Sequence, residues 1–295
     1  MRLSRPLAML VAAAALASTA PARAELALPR ISQNATVSQT VGTTTMTLVY
    51  SRPGVKGRPI WGALVPYDKP WRTGANDAST FTTTDPIMVA GQPLPAGTYS
   101  FFTIPTPNSW TVIFSRQKEL WGAFAYDSTQ DQLRVSASSD TSQPNHEWMG
   151  LGFENLTPTS ADLVLSWEKL RVAVPITVDV NGKVLADCRR EIASAKSDDW
   201  RTPYRAANWA FDAGVPPDEA NGWLERSLMV DKNYSNLGLK ARRLAKDGKT
   251  ADAITTAQQA IAAGKASKDK PDTAALEKQL AEWQASMPAT KGKKK

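Results

Sequence analysis

The sequence predicts an all-β antiparallel sandwich or barrel-like domain over residues 25–180, followed by an α-helical, tetratricopeptide-like region over residues 186–286. Three observations lead there. Residues 34–180 carry short runs of β-branched and aromatic residues, punctuated by Pro/Gly turn signals and with no helical crossover between them. After residue 186 the apolar spacing changes to the helical period. Within that second region Gly214 and Gly248 stand 34 positions apart, the period of a repeated helix–turn–helix unit.

The strands are read in order as follows. Thr43–Tyr50 is β-branched and alternates at its end, and Ser79–Thr84 and Ile87–Val89 follow it. Tyr99–Ile104 and Trp110–Ser115 form the best-patterned pair, joined by Pro105-Thr-Pro-Asn-Ser109, which cannot continue a strand. Leu133–Ala137 alternates, and Leu163–Glu168 and Val172–Val178 close the region. Pro175 lacks a backbone donor, so its strand is expected at a sheet edge or a bulge.

Asn181-Gly182 marks the transition, and five amphipathic helices are expected beyond it: Arg205–Ala213, Pro217–Val230, Leu237–Asp247, Thr250–Gly264 and Thr273–Ser286. Pro217 with Asp218 and Glu219 supplies a first turn suited to a helix start. Ala253, Ala257 and Ala260 allow close helix packing. About two repeats are visible, where three or more are normally needed for stability, so a short array docked on the β-domain and a plain helical bundle both stay open.

The termini read as an address and a tail. Met1–Arg5 is basic, Leu7–Ala17 is apolar, and Ala22-Arg-Ala24 is a small-residue cleavage site, so residues 1–24 are read as a signal peptide. The apolar run is too short to span a bilayer. The expected protein therefore begins near Glu25 and is periplasmic or secreted, with no transmembrane segment. Residues 287–295 are read as a lysine-rich disordered tail. Once the three arginines of the leader and the four terminal lysines are set aside, the formal charge of +7 falls to zero, which argues against nucleic-acid binding. One cysteine and one histidine exclude an internal disulfide, a thiolate zinc site and multi-histidine metal centres. No phosphate-loop or dinucleotide motif occurs, so neither a cofactor nor a metal is expected. Lone Cys188 is read as a buried thiol.

Tyr50-Ser-Arg-Pro53, Lys56-Gly-Arg-Pro-Ile-Trp-Gly62 and Trp71-Arg-Thr-Gly-Ala-Asn76 are long, specific strings. With the later Leu94–Tyr99, Trp110–Phe114 and Leu163–Glu168, in this order, they resemble a bacterial family known as domain of unknown function 2911, from about Ser38 to Val178. The resemblance implies an exported all-β domain, often followed by helical repeats, and implies no activity.

The same segment supplies the candidate binding residues: Arg52, Arg58, Trp61, Trp71, Arg72 and Asn76. Arg52, Lys56, Arg58, Lys69 and Arg72 place five cations within 21 positions. Guanidinium groups present planar forks of donors to carboxylate or phosphate, and the tryptophans can stack on a ring. Together they suit a small polar or anionic ligand, while the helical region suits a protein partner. A purely structural reading competes, in which the tryptophans plug the core and the arginines pair with Asp68, Asp77, Glu154 or Glu168. A third reading is an envelope hydrolase of glycans or esters. It would use His146 with Ser51 or another serine, or two of Asp127, Asp131, Glu147, Glu154 and Glu168, although no GxSxG elbow is present.

Overall fold

The computed structural model describes residues 28–118 and 120–287; the signal peptide read at 1–24 and nearly all of the lysine-rich tail lie outside them. Eleven strands come first: β1 Gln33–Val41, β2 Thr44–Arg52, β3 Ser79–Thr83, β4 Ile87–Val89, β5 Gln92–Leu94, β6 Gly97–Pro105, β7 Ser109–Ser115, β8 Asp131–Asp140, β9 His146–Glu154, β10 Ser160–Glu168 and β11 Leu170–Thr177. Six helices follow: α1 Val180–Ser194, α2 Arg201–Asp212, α3 Pro217–Val230, α4 Tyr234–Lys246, α5 Thr250–Ala266 and α6 Ala274–Ser286.

Of the two architectures left open, the strands form a near-barrel. A single antiparallel path runs β1-β2-β3-β6-β7-β8-β11-β10-β9, with the β4–β5 hairpin attached to β11. Its ends curl together where β2 runs out. There Met149 N–H donates to Pro53 O at 3.0 Å and Val55 N–H to Glu147 O at 2.8 Å. Two side chains extend this seam along β2: Tyr50 Oη donates to Leu151 O at 3.0 Å, and Arg52 Nε to Met149 O at 2.7 Å. The seam is short, so the closure is partial and β1 pairs with β2 alone.

Burial follows the pleat. In β11 the apolar Leu170, Val172, Val174 and Ile176 face inward and their neighbours face out. β6 and β7 are apolar on both faces for a reason the pleat alone does not give. Phe101 and Phe114 enter the barrel core, whereas Phe102 and Ile113 form a second, outer cluster under the loop that carries Leu120, Ala123 and Tyr126. β11 is an inner strand, which corrects the edge expected from Pro175. The proline falls between the residues that pair with β8 (Arg171, Val172) and those that pair with β4 (Ile176, Thr177), where its carbonyl accepts Ala90 N–H at 2.8 Å and its missing donor is not called on.

The helices start at Val180, earlier than the change of period at 186. Asn181-Gly182 is the first turn of α1, not a link before it: Asp179 Oδ1 caps the helix by accepting from Gly182 N–H at 2.9 Å. A Cβ at Gly182 would collide with that carboxylate, so the cap itself requires glycine. The helix pairs α2/α3 and α4/α5 each close through a glycine in the left-handed region, Gly214 at φ 72° and Gly248 at φ 76°. The alanines expected to let helices approach, Ala253, Ala257 and Ala260, are fully buried. The β-region and the helices have separate cores, and Lys183 of α1 meets Asp85 across the junction at 3.2 Å.

Candidate functional site

Residues 53–78 join β2 to β3 without regular structure, and they hold four non-glycine residues at positive φ: Lys56, Asp68, Thr73 and Asn76, between 50° and 62°. Such conformations cost about 1 kcal/mol or more each and persist where surroundings enforce them. The enforcement is visible. Trp71 exchanges two backbone hydrogen bonds with Thr103 of β6, at 2.8 and 2.9 Å, and Ser79 Oγ donates to Thr73 O at 2.7 Å. A Cβ at Gly74 would press on the Ser51 carbonyl at 3.0 Å and on Ser79 Oγ, so the chain passes too close there for any side chain.

Under this connection four tryptophans meet. Trp61 stands edge-on to Trp110 at 5.1 Å, to Trp167 at 5.7 Å and to Trp71 at 6.0 Å, while Trp71 and Trp167 stack at 5.9 Å. Trp110 and Trp167 are fully buried. Trp71 donates its indole N–H to Gly74 O at 3.1 Å; the indole N–H groups of Trp61, Trp110 and Trp167 find no partner among the described residues. Edge-to-face packing of this kind gives a rigid apolar floor.

Above Trp71 and Trp167 lies a cavity of about 260 Å³. Lys56, Arg58 and Arg72 reach its wall, and none of its lining residues is acidic. Arg72 is half-buried, and its Nε has no hydrogen-bond partner among the described residues. Burial lowers its pKa, and the nearby charge of Asp77 raises it in part. A guanidinium remains charged under such shifts, so a half-buried cation is part of the cavity lining.

The six residues singled out in the sequence divide in two. Arg58, Trp71 and Arg72 line the cavity. The other three are placed elsewhere for identifiable reasons. Arg52 is spent on the barrel seam at Met149 O. Trp61 packs on the outer side of the tryptophan cluster. Asn76 donates to Ser32 O at 3.2 Å, fixing the strand-entry segment, and accepts Gly122 N–H on its backbone carbonyl at 3.2 Å. Arg58 itself is partly committed, donating to Val55 O at 3.1 Å and to Gly54 O at 2.6 Å. Three cavity residues lie outside the segment singled out in the sequence. Trp167 comes from β10, and Ile31 and Ser32 from the approach to β1; none carries a local signal, because only the barrel closure brings them there.

The hydrolase candidates sit on several elements, from Ser51 on β2 to Glu168 on β10. Ser51 is buried and donates to Asn34 Oδ1 at 2.6 Å, and His146 opens β9 in solvent, paired with Glu168. Asp127 caps the short 3-10 turn Ser128–Gln130, and Asp131 binds Tyr126 and Arg134 at 2.6 Å each. Among the described residues no group of three His, Cys, Asp or Glu side chains is placed to hold a metal ion. Cys188 is half-buried on α1, and burial with the neighbouring Asp187 and Glu219 pushes its thiol pKa up, away from a reactive thiolate. No helix among the described residues is long and apolar enough to cross a membrane.

Residues 32–176, the barrel from the start of β1 to the end of β11, match a family model described as protein of unknown function (DUF2911). No curated protein and no solved structure matches the chain.

Proposed function

We propose that this chain, whose β-region belongs to the DUF2911 family, is an exported, non-catalytic binding or scaffold protein that holds a compact anion against Arg72. One observation carries this reading. Arg72, half-buried, lines a cavity that also gathers Lys56 and Arg58 and has no carboxylate in its lining, so three cations meet there without a counter-charge among the lining residues. A compact anion supplies that counter-charge. The size of the cavity narrows the ligand. Its 260 Å³ falls just below the range of about 300–1,000 Å³ usual for small-molecule sites. Trp71 and Trp167, almost wholly buried, close the cavity floor with apolar atoms beside the cations. A small carboxylate or phosphate carrying a ring or short apolar group satisfies both. The two helix pairs, each closed by a left-handed glycine turn, are assigned contact with a protein partner, because stacked helix pairs present an extended face for one.

Thermal shift and titration calorimetry with phenyl phosphate, benzoate and inorganic phosphate test the reading. A ligand that binds the native state alone raises the melting temperature by mass action. Phenyl phosphate or benzoate should stabilise the protein and bind saturably, and Arg72→Ala should remove both effects. Absence of any shift in the unmodified protein, or an equal shift in Arg72→Ala, overturns the proposal.

A further inference from the structure

The loop between β7 and β8 turns some of its apolar side chains in and its two purely apolar rings out. Leu120, Ala123 and Tyr126 pack over Phe102 and Ile113 on the outer face of the barrel. Trp121 and Phe124 stand in solvent instead, at 67% and 87% exposure. Their rings are nearly parallel, at 20°, with centroids 6.3 Å apart. At that distance they are offset and do not cover each other.

The backbone builds this placement. Gly122 lies in the left-handed region at φ 74°, and a Cβ there would meet the Phe124 ring at 2.8 Å, so glycine is what lets the ring lie against the chain. Gln117 braces the loop from within: its amide donates to Ala125 O at 3.0 Å, and its side-chain oxygen accepts Asp127 N–H at 2.8 Å. Tyr126 anchors the far end on Phe102, with ring centroids 5.0 Å apart.

The flank of the two rings is polar. Ala78 N–H donates to Leu120 O at 2.8 Å and Gly122 N–H to Asn76 O at 3.2 Å, and these bonds bracket Asp77 and Trp121 as an antiparallel pair not bonded to each other. In such a pair the two side chains share a face and stand at their closest. The Asp77 carboxylate therefore lies on the same face as the Trp121 ring, and its Oδ2 accepts from Arg30 Nη1 at 2.6 Å. Both charged side chains are exposed, and the contact uses one oxygen and one N–H, which leaves each group further capacity for a ligand.

We propose that Trp121 and Phe124 form a sugar-binding platform, on which a pyranose ring of a neutral glycan stacks while its hydroxyls bond Asp77 and Arg30. The C–H groups on the face of a pyranose suit the negative face of an aromatic ring. Neighbouring hydroxyls donate to a carboxylate and accept from a guanidinium, and this flank offers one of each. The two charges balance, which selects a neutral ligand. A bilayer surface also takes exposed aromatic rings, but it calls for flanking cations in surplus rather than a carboxylate on the ring's own face. None of these four residues lines the cavity at Arg72, so the two sites stand or fall separately.

Saturation-transfer NMR and titration calorimetry of the whole protein with chitohexaose, cellohexaose and maltohexaose test it. At least one of the three should bind saturably, with Kd below about 1 mM, and Trp121→Ala and Phe124→Ala should each weaken it about tenfold. Trp121→Phe, which keeps a ring, should retain most of the affinity. Both rings are exposed, so the melting temperature of either alanine variant should stay within about 2 °C of the unmodified protein's. No binding of any of the three oligosaccharides, or equal binding by Trp121→Ala, overturns the proposal. So does sedimentation with vesicles of phosphatidylcholine and phosphatidylglycerol that is lost in Trp121→Ala, which would assign the rings to a bilayer surface.

Discussion

The mouth of the barrel and the junction of α2, α3 and α4 treat buried polar groups in opposite ways, although α4 also carries an unpaired buried donor, Arg243 Nε. At the junction of α2, α3 and α4, Ser227 Oγ donates to the Trp200 carbonyl at 2.8 Å and accepts from Asn236 Nδ2 at 3.0 Å. The same Asn236 amide also donates to Asp231 O at 2.6 Å, and its oxygen accepts Asn233 N–H at 3.0 Å. Every polar atom of those two side chains has a partner, around a core of small residues such as Ala207, Ala210, Ala220 and Ala257. The mouth of the barrel has a core of large rings instead, and among the described residues it leaves Trp61 Nε1, Trp167 Nε1 and Arg72 Nε unpaired. It also gathers four of the positive-φ residues. A satisfied network fixes how elements pack. An unsatisfied one beside a cavity costs stability that packing alone does not need.

The largest test of this contrast is Trp167→Ala. It removes a fully buried ring from the tryptophan cluster and should destabilise the protein by about 3–5 kcal/mol in chemical denaturation. Asn236→Ala comes next. It strands Ser227 and the Asp231 carbonyl and removes half of the capping box at α4, so a loss of about 2 kcal/mol is expected in the same measurement. Arg72→Ala should behave differently from both. A side chain whose buried Nε has no partner supports the fold little, so stability should change by less than about 1 kcal/mol while anion binding disappears. A loss comparable to that of Asn236→Ala would place Arg72 with the architecture.

The smallest effect is alkaline. Tyr126 donates to Asp131 at 2.6 Å under the loop that covers the outer barrel face, and its phenol pKa is pushed up, first by burial and then by that bond. The unfolded chain gives up this proton near the ordinary tyrosine value of 10.0, while the folded chain keeps it. The stabilisation is thus complete below that pH and is lost as pH rises beyond it. Melting temperatures between pH 9 and 11 should fall less steeply for Tyr126→Phe than for the unmodified protein, and parallel curves would show that the phenol does not report on folding.

Legibility in the sequence followed the strength of the local signal. α3 begins and ends where its Pro-Asp-Glu start and apolar spacing placed it, Pro217–Val230. The β6–β7 hairpin stands where Tyr99–Ile104 and Trp110–Ser115 were read. β1 was barely visible, because Gln33–Val41 is mostly polar and becomes a strand by pairing with β2, aided by the hydroxyl contacts Ser38–Thr47 and Thr40–Thr45 at 3.0 Å. β9 was missed for a related reason. Gly150 and Gly152 break its alternation, and it is held by β10 and by the seam with β2. α1 was hidden by Asn181-Gly182, a pair that reads as a turn until Asp179 caps it.

The sequence by itself determined the order of the fold: antiparallel strands first and helix pairs after, with a connection dense in arginine and tryptophan between β2 and β3. These rest on periodicity and on the fixed preferences of proline and glycine, which act over a few neighbouring residues. The tertiary structure alone decided which of those dense residues face the cavity. Arg52 and Arg72 look alike along the chain, yet one is taken by Met149 across the barrel seam and the other is left open beside Trp167. That division depends on partners about a hundred residues away in sequence, and closure of the barrel is what brings them within reach.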